Sequence, residues 1–147
     1  MIEKLVHHIS APLLGVLIIT ACSGDVVMDD DADAFVGTYS VSTVEYTTWG
    51  NASKTINETG TLRITKVSAS HIRTSGFFST QGRVSGDRVY LEAMHSSDSA
   101  GYLDDVFDTG TLSGDVLKVT GHTTGKLKSN GVLYPFTRSS FITAIKQ

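Results

Sequence analysis

The chain has 147 residues, with 12 lysines and arginines against 15 aspartates and glutamates and a formal net charge of −3. That length is one domain's worth, and the weak charge balance offers no dense basic patch, so no nucleic-acid partner is expected. A single cysteine excludes an internal disulfide, and the folded body must be held by its core alone.

Residues 1–21 read as a targeting segment that stands apart from the fold. Met1 to Ser10 is a short polar start, and Ala11 to Thr20 is an apolar run. At about ten residues it is far short of the ~20 that a membrane-spanning helix needs. Leu17-Ile18-Ile19-Thr20-Ala21-Cys22 then sets the sole cysteine behind a greasy run and a small residue. This pattern resembles a bacterial lipobox, departing from the ideal at Ile19 and Thr20. The resemblance implies cleavage before Cys22, acylation of its thiol by chains such as palmitate, and a place in the cell envelope as an outer-membrane lipoprotein. Its membrane partner is then reached through the anchor. At ~0.8 kcal/mol per buried methylene, two or three acyl chains hold without any protein–membrane contact.

Residues 22–33 carry Asp25, Asp29, Asp30, Asp31 and Asp33 and no basic residue. Such a run repels itself and reads as a flexible tether. It also resembles the acidic stretch after the lipidated cysteine of surface-exposed lipoproteins. A plain solvated spacer is the preferred reading of the run, so the membrane face stays open. From Ala34 onward there are nine acidic and eleven basic side chains, which leaves the body near +2.

The body, residues 34–147, is rich in threonine, serine, valine and glycine, which favour strands and turns. Phe35, Tyr39 and Val41 alternate on one side of a first strand. The phase then moves to Val44 and Tyr46, which predicts a bulge near Ser42 or Thr43. Gly50 to Glu58 reads as a polar loop. Leu62 and Ile64 mark a second strand, ending near Val67. Ile72 to Val84 alternates as one strand kinked at a glycine, or as two. Phe77 and Phe78 should point opposite ways, with Phe77 the exposed ring if Phe78 shares the inner face of Ile72 and Val84.

An internal echo follows. Gly82-Arg-Val-Ser-Gly-Asp-Arg-Val-Tyr-Leu91 matches Gly110-Thr-Leu-Ser-Gly-Asp-Val-Leu-Lys-Val119 at an offset of 28 residues. In each copy Ser-Gly-Asp separates two alternating apolar runs, a hairpin signal. His95 to Gly101 reads as a loop, and Tyr102 to Phe107 as a short turn into the next strand. Asn130-Gly131 predicts another hairpin, and Pro135 belongs at an edge, a bulge or a strand start.

The predicted fold class is all-β: an antiparallel up-and-down barrel of about eight strands, closed so that no long edge is left to aggregate. Gly37-Thr-Tyr, the two Ser-Gly-Asp hairpins, Asn130-Gly-Val-Leu-Tyr-Pro-Phe136 and the lipobox together resemble the calycin or lipocalin-like lipoproteins of Gram-negative bacteria. The resemblance spans nearly the whole body and implies the barrel architecture. The tryptophan typical of the first strand of true lipocalins is absent, since Thr38-Tyr39 follow Gly37 and the sole Trp49 lies late.

Candidate chemistry is sparse. His71, His95 and His122 fall on separate segments and predict no metal site. Asp104, Asp105 and Asp108 interleave with apolar residues rather than wrapping an ion. No Gly-x-Ser-x-Gly elbow or marked carboxylate pair occurs, so neither an enzyme nor a cofactor is expected. Tyr46, Trp49 and Phe77 are the candidate ligand-binding residues, as aromatic side chains near a mouth. The expected function is binding of a small apolar or amphipathic ligand inside the barrel. The alternative is a protein-interaction module, such as a peptidase or lysozyme inhibitor or an accessory subunit of a surface complex, with Trp49, Tyr46 and Phe77 as one exposed patch.

Overall fold

A computed structural model describes residues 30–147. Cys22, the targeting segment and residues 22–29 of the tether lie outside the described residues. The elements are α1 (Asp31–Phe35), β1 (Gly37–Trp49), β2 (Ala52–Ser68), β3 (His71–Gly76), β4 (Gln81–Ser85) and β5 (Arg88–Leu91). They continue with β6 (Met94–Asp98), β7 (Gly101–Phe107), β8 (Gly110–Ser113), β9 (Val116–Ser129) and β10 (Val132–Lys146). The sheet order is β10-β1-β2-β3-β4-β5-β8-β9-β7-β6, and β9 also pairs with β10. The antiparallel sheet therefore closes into a ring of eight strands, β1 to β5 and β8 to β10, taken in chain order.

The two remaining strands explain the architecture of the open end. Near its start, at Val116 to Lys118, β9 pairs with β8. Further along, at Gly121 to Leu127, the same edge of β9 takes β7 instead, and β6 follows outside it. The ring is thus complete at its base. Above the base, β1, β2, β9 and β10 run on past it with the β6–β7 hairpin as a flank.

Both echo hairpins join neighbouring strands, β4 to β5 and β8 to β9, and β5 pairs with β8, so the two copies lie side by side. Gly86 and Gly114 supply nearly the same left-handed turn, with φ of 58° and 57°. Asn130 and Gly131, at φ 50° and 84°, both turn left-handed as a two-residue hairpin needs.

Three sequence expectations change. No bulge interrupts β1: it pairs residue for residue with β2 and β10 from Tyr39 to Trp49. The register break lies instead on β2, between Lys66 and Ser68. The segments read as loops at 50–58 and 95–101 contain strand, since β2 starts at Ala52 and β6 covers Met94–Asp98. The side chains of those two segments are largely exposed, so no apolar alternation betrays them, and the turn read at Tyr102 to Phe107 is likewise strand, β7. The folded part also begins before Ala34. Asp30 and Asp33 both take hydrogen bonds from the Lys66 ammonium, and Asp31 accepts one from the Gly86 amide at 2.7 Å. The last acids of the predicted tether thus clamp α1 to the ring.

α1 plugs the base. Ala32 and Phe35 are fully buried, and the Ala32 amide donates to the Ala69 carbonyl at 3.0 Å. Above them Tyr39, Val41, Leu62, Ile64, Ile72 and Val89 fill the interior. The Tyr39 hydroxyl donates to the Phe35 carbonyl at 2.7 Å, so the plug is hydrogen-bonded to the core it covers. Among the described residues no buried side-chain polar atom is left without a partner.

Burial, reinforced by the negative charge of Asp115, raises the Tyr39 phenol above its ordinary value. Hydrogen bonds to Asp30 and Asp33 raise Lys66 likewise. In both cases the native state holds its proton more tightly than the unfolded chain does. Their contribution is therefore whole below about pH 10 and is lost as pH rises through the folded values. Urea midpoints are expected to fall on the alkaline side. Tyr39→Phe should cost about 1 kcal/mol at pH 7 through its lost hydrogen bond and should flatten the alkaline decline. An unaltered decline in that variant would remove Tyr39 from the explanation.

Candidate functional site

The interior changes character at one level on three adjacent strands. Going up β1, the inward positions are Tyr39, Val41, Thr43 and Glu45, all buried. Their partners on β10 run Lys146, Ala144, Ile142 and Ser140, with Arg138 next. On β9 the same rows hold Leu117, Val119, Gly121 and Thr123. The lower rows are apolar and the upper ones polar. Because facing residues in a ladder share a side of the sheet, Glu45, Ser140, Arg138 and Thr123 must meet inside the ring. On β7, Asp105 lies opposite Thr123 and joins them.

Arg138 is the hub. Its Nη2 lies 3.2 Å from Asp105 Oδ1 and its Nε donates to Thr123 Oγ1 at 3.1 Å. Its Nη1 is 3.7 Å from Glu45 Oε2. The Thr123 hydroxyl donates to Asp105, and the Ser140 hydroxyl donates to Glu45 Oε1 at 3.1 Å. Glu45 is only 7% exposed. Charges withdrawn from water to this degree need counter-charges and donors, and the network supplies them.

Aromatic rings form the opposite wall. Phe78 lies 5.3 Å from Phe107 with the rings tilted by 31°, and Phe77 meets Phe78 edge-on at 6.4 Å. Gly121 faces Phe107, where a methyl group would sit 3.4 Å from the ring. Between the wall and the network is a cavity of about 140 Å³, with Glu58 and Met94 at its sides. Those two residues belong to β2 and β6, whose upper outer edges are covered by no strand among the described residues, so the cavity opens through the gap between them.

The predicted binding residues do not form one patch. Phe77 is half-buried against the core. The reason is local: β3 ends at Gly76, whose φ is 96°, and the Phe77 amide donates to the Thr61 carbonyl at 2.8 Å. Strand alternation stops there, so both phenylalanine rings turn toward the interior. Tyr46 stands on the outer face of β1, 54% exposed, edge-on to Phe141 at 6.0 Å. Trp49 occupies the inner row, four residues beyond Glu45, at the tip of the β1–β2 hairpin. There it borders a wide, open cleft with Asn51 and Tyr134.

The remaining polar candidates are also separated. His95 Nδ1 contacts Asp104 Oδ1, and His122 Nε2 lies 3.3 Å from Asp108 Oδ2, all four groups being about half exposed. Asp104 and Asp105 are consecutive on β7 and point to opposite faces. Among the described residues no group of three or more histidine, cysteine or acidic side chains is arranged to hold a metal. His71 contacts the Ser68 and Ser70 hydroxyls.

Sequence reasoning weighed Asp105 only as a calcium ligand beside Asp104 and Asp108, found no partner for the glutamates, Glu45 among them, and did not single out Thr123, Arg138 or Ser140. A signal existed: Thr43 and Glu45 continue the odd-numbered row of Tyr39 and Val41, and Arg138 and Ser140 continue the even row of Ala144 and Ile142. Comparison of the chain with protein-family models, with curated proteins and with solved structures gave no match.

Proposed function

We propose that this chain is a lipid-anchored envelope protein whose calycin-like barrel binds a small amphipathic molecule at its open end, without catalysis or cofactor. The observation that carries the reading is the cavity itself: about 140 Å³, with charged side chains as its floor and three phenyl rings as its wall. A space near 150 Å³ takes a benzene-sized group, so the rings match a small apolar moiety. A purely apolar ligand would strip water from Glu45, Asp105 and Arg138 without replacing it, which is unfavourable. An amphipathic one leaves its polar end with them.

The direction of the opening supports an anchored binder. The chain enters the ring at α1, beside the base, and β1 then runs 13 residues to the far hairpin. At 3.3 Å per residue that is about 40 Å. With Cys22 acylated, the opening lies away from the attachment end. The interaction reading has its own observation, since Trp49, Val132, Leu133 and Tyr134 expose apolar surface at the hairpin tips. They offer no enclosed volume, so the cavity is the better candidate.

Native mass spectrometry of the full chain extracted from its own membranes tests the proposal. The expected species starts at Cys22, carries covalent acyl mass and releases a small non-covalent adduct on activation. A chain lacking acyl mass overturns the anchor, and one that is bare of adduct overturns the binding reading in favour of the hairpin-tip interface.

A further inference from the structure

We infer that the ligand of this cavity presents a positively charged nitrogen, as a primary ammonium or an amidinium, to Glu45. The inference rests on the binding reading above and specifies its chemistry. Glu45 is more than nine-tenths buried, and its two carboxylate oxygens are unequally served. Oε1 accepts from Ser140, whereas the cation facing Oε2, Arg138 Nη1, stands 3.7 Å away, beyond hydrogen-bond reach. Arg138 is held back because its Nε and Nη2 are committed to Thr123 and Asp105. Oε2 thus belongs to a mostly buried side chain but is itself open to the cavity and lacks a close donor, which makes it a place for a donor brought by the ligand.

The surroundings select the sign of that donor. Glu45, Glu58 and Asp105 line the cavity against the guanidinium of Arg138 and the imidazole of His122, and His122 is itself paired with Asp108, so the carboxylates outnumber the cations that answer them. An anionic ligand would be repelled by the excess, while a cation is drawn in and held against a low-dielectric wall. That wall is made of Phe77, Phe78 and Phe107, whose ring faces attract a nearby ammonium. One side of the cavity thus offers a hydrogen-bond acceptor and the other an aromatic surface, as an arylalkyl or short alkyl ammonium requires.

Three probes of one size and three charges test this on the full-length protein by isothermal titration calorimetry: benzylammonium, benzyl alcohol and benzoate. Benzylammonium is expected to bind at least about tenfold more tightly than benzyl alcohol, equivalent to about 1.4 kcal/mol, and benzoate more weakly than either. Glu45→Gln keeps the side-chain shape and an oxygen for Ser140. It should remove most of the ammonium preference and weaken benzyl alcohol, which loses only a neutral donor's bond to the carboxylate, by much less. Glu58→Gln, at an exposed position, should produce a smaller loss and serves as the variant least able to disturb folding. If benzyl alcohol or benzoate equals benzylammonium, or if Glu45→Gln keeps the preference intact, the cation inference fails and the cavity reading stands. If none of the three binds, both fail together.

Discussion

Phe35→Ala is expected to lower the unfolding free energy by about 3–5 kcal/mol, the usual range for truncating a buried phenylalanine. Phe35 is completely buried, although it belongs to a helix of only five residues. A helix that short has no stability of its own in water. It persists because Phe35 and Ala32 seal the base of the ring and because Asp30, Asp31 and Asp33 find partners on Lys66 and Gly86. Removing the ring leaves a void beneath Tyr39 and loosens the carbonyl that accepts the Tyr39 hydroxyl. A domain of this size holds roughly 5–15 kcal/mol in total, so the loss is a large share. Calorimetry should show a melting temperature lower by about 10–20 °C, and Phe35→Leu should recover much of it. A loss below about 1 kcal/mol would mean that α1 is an ornament on a core complete without it.

Arg138→Ala is expected to destabilise by about 2–4 kcal/mol at neutral pH, less than for a fully dry pair because the Arg138 side chain is about one-third exposed. The loss comes from what remains. Glu45 keeps Ser140 but no cation, and Asp105 keeps only the Thr123 hydroxyl. Two carboxylates would then face one cavity with no counter-charge. Glu45→Gln combined with Arg138→Ala should therefore be milder than the single losses added together, by about 1–2 kcal/mol in a double-mutant cycle. Strict additivity, measured by urea unfolding, would show that the two side chains do not share an environment.

Much of the base of the ring was legible in the chain. Ser85-Gly86-Asp87, Ser113-Gly114-Asp115 and Asn130-Gly131 announce their turns because a positive φ is a local demand that few residues meet. Tyr39 and Val41, Leu62 and Ile64, and Leu117 and Val119 show their inward rows by alternation, since one face of each strand is buried against the plug and core. Two readings failed for opposite reasons. Residues 52–61 of β2 and all of β6 look like loops because neither face is deeply buried, and only pairing with β1 and β7 holds them extended. The supposed bulge in β1 arose because Val44 and Tyr46 are apolar on the outer face while Thr43 and Glu45 are polar on the inner one.

The candidate site was the least legible part, and the reason is distance along the chain. Glu45 and Ser140 are 95 residues apart, and Asp105 and Arg138 are separated by 33. A polar residue in an apolar row reads locally as a mistake in the pattern, and its partner reads as another. By itself the amino-acid sequence determined the all-β class, the hairpins and the apolar rows, because backbone conformation and side-chain alternation are set by near neighbours. Only the tertiary structure decided that Phe77 turns inward, that Tyr46 and Trp49 part company, and that four polar residues on three strands meet Asp105 from a fourth. Ring closure brings those strands to one level, and a buried charge acquires its meaning from the groups that closure places around it.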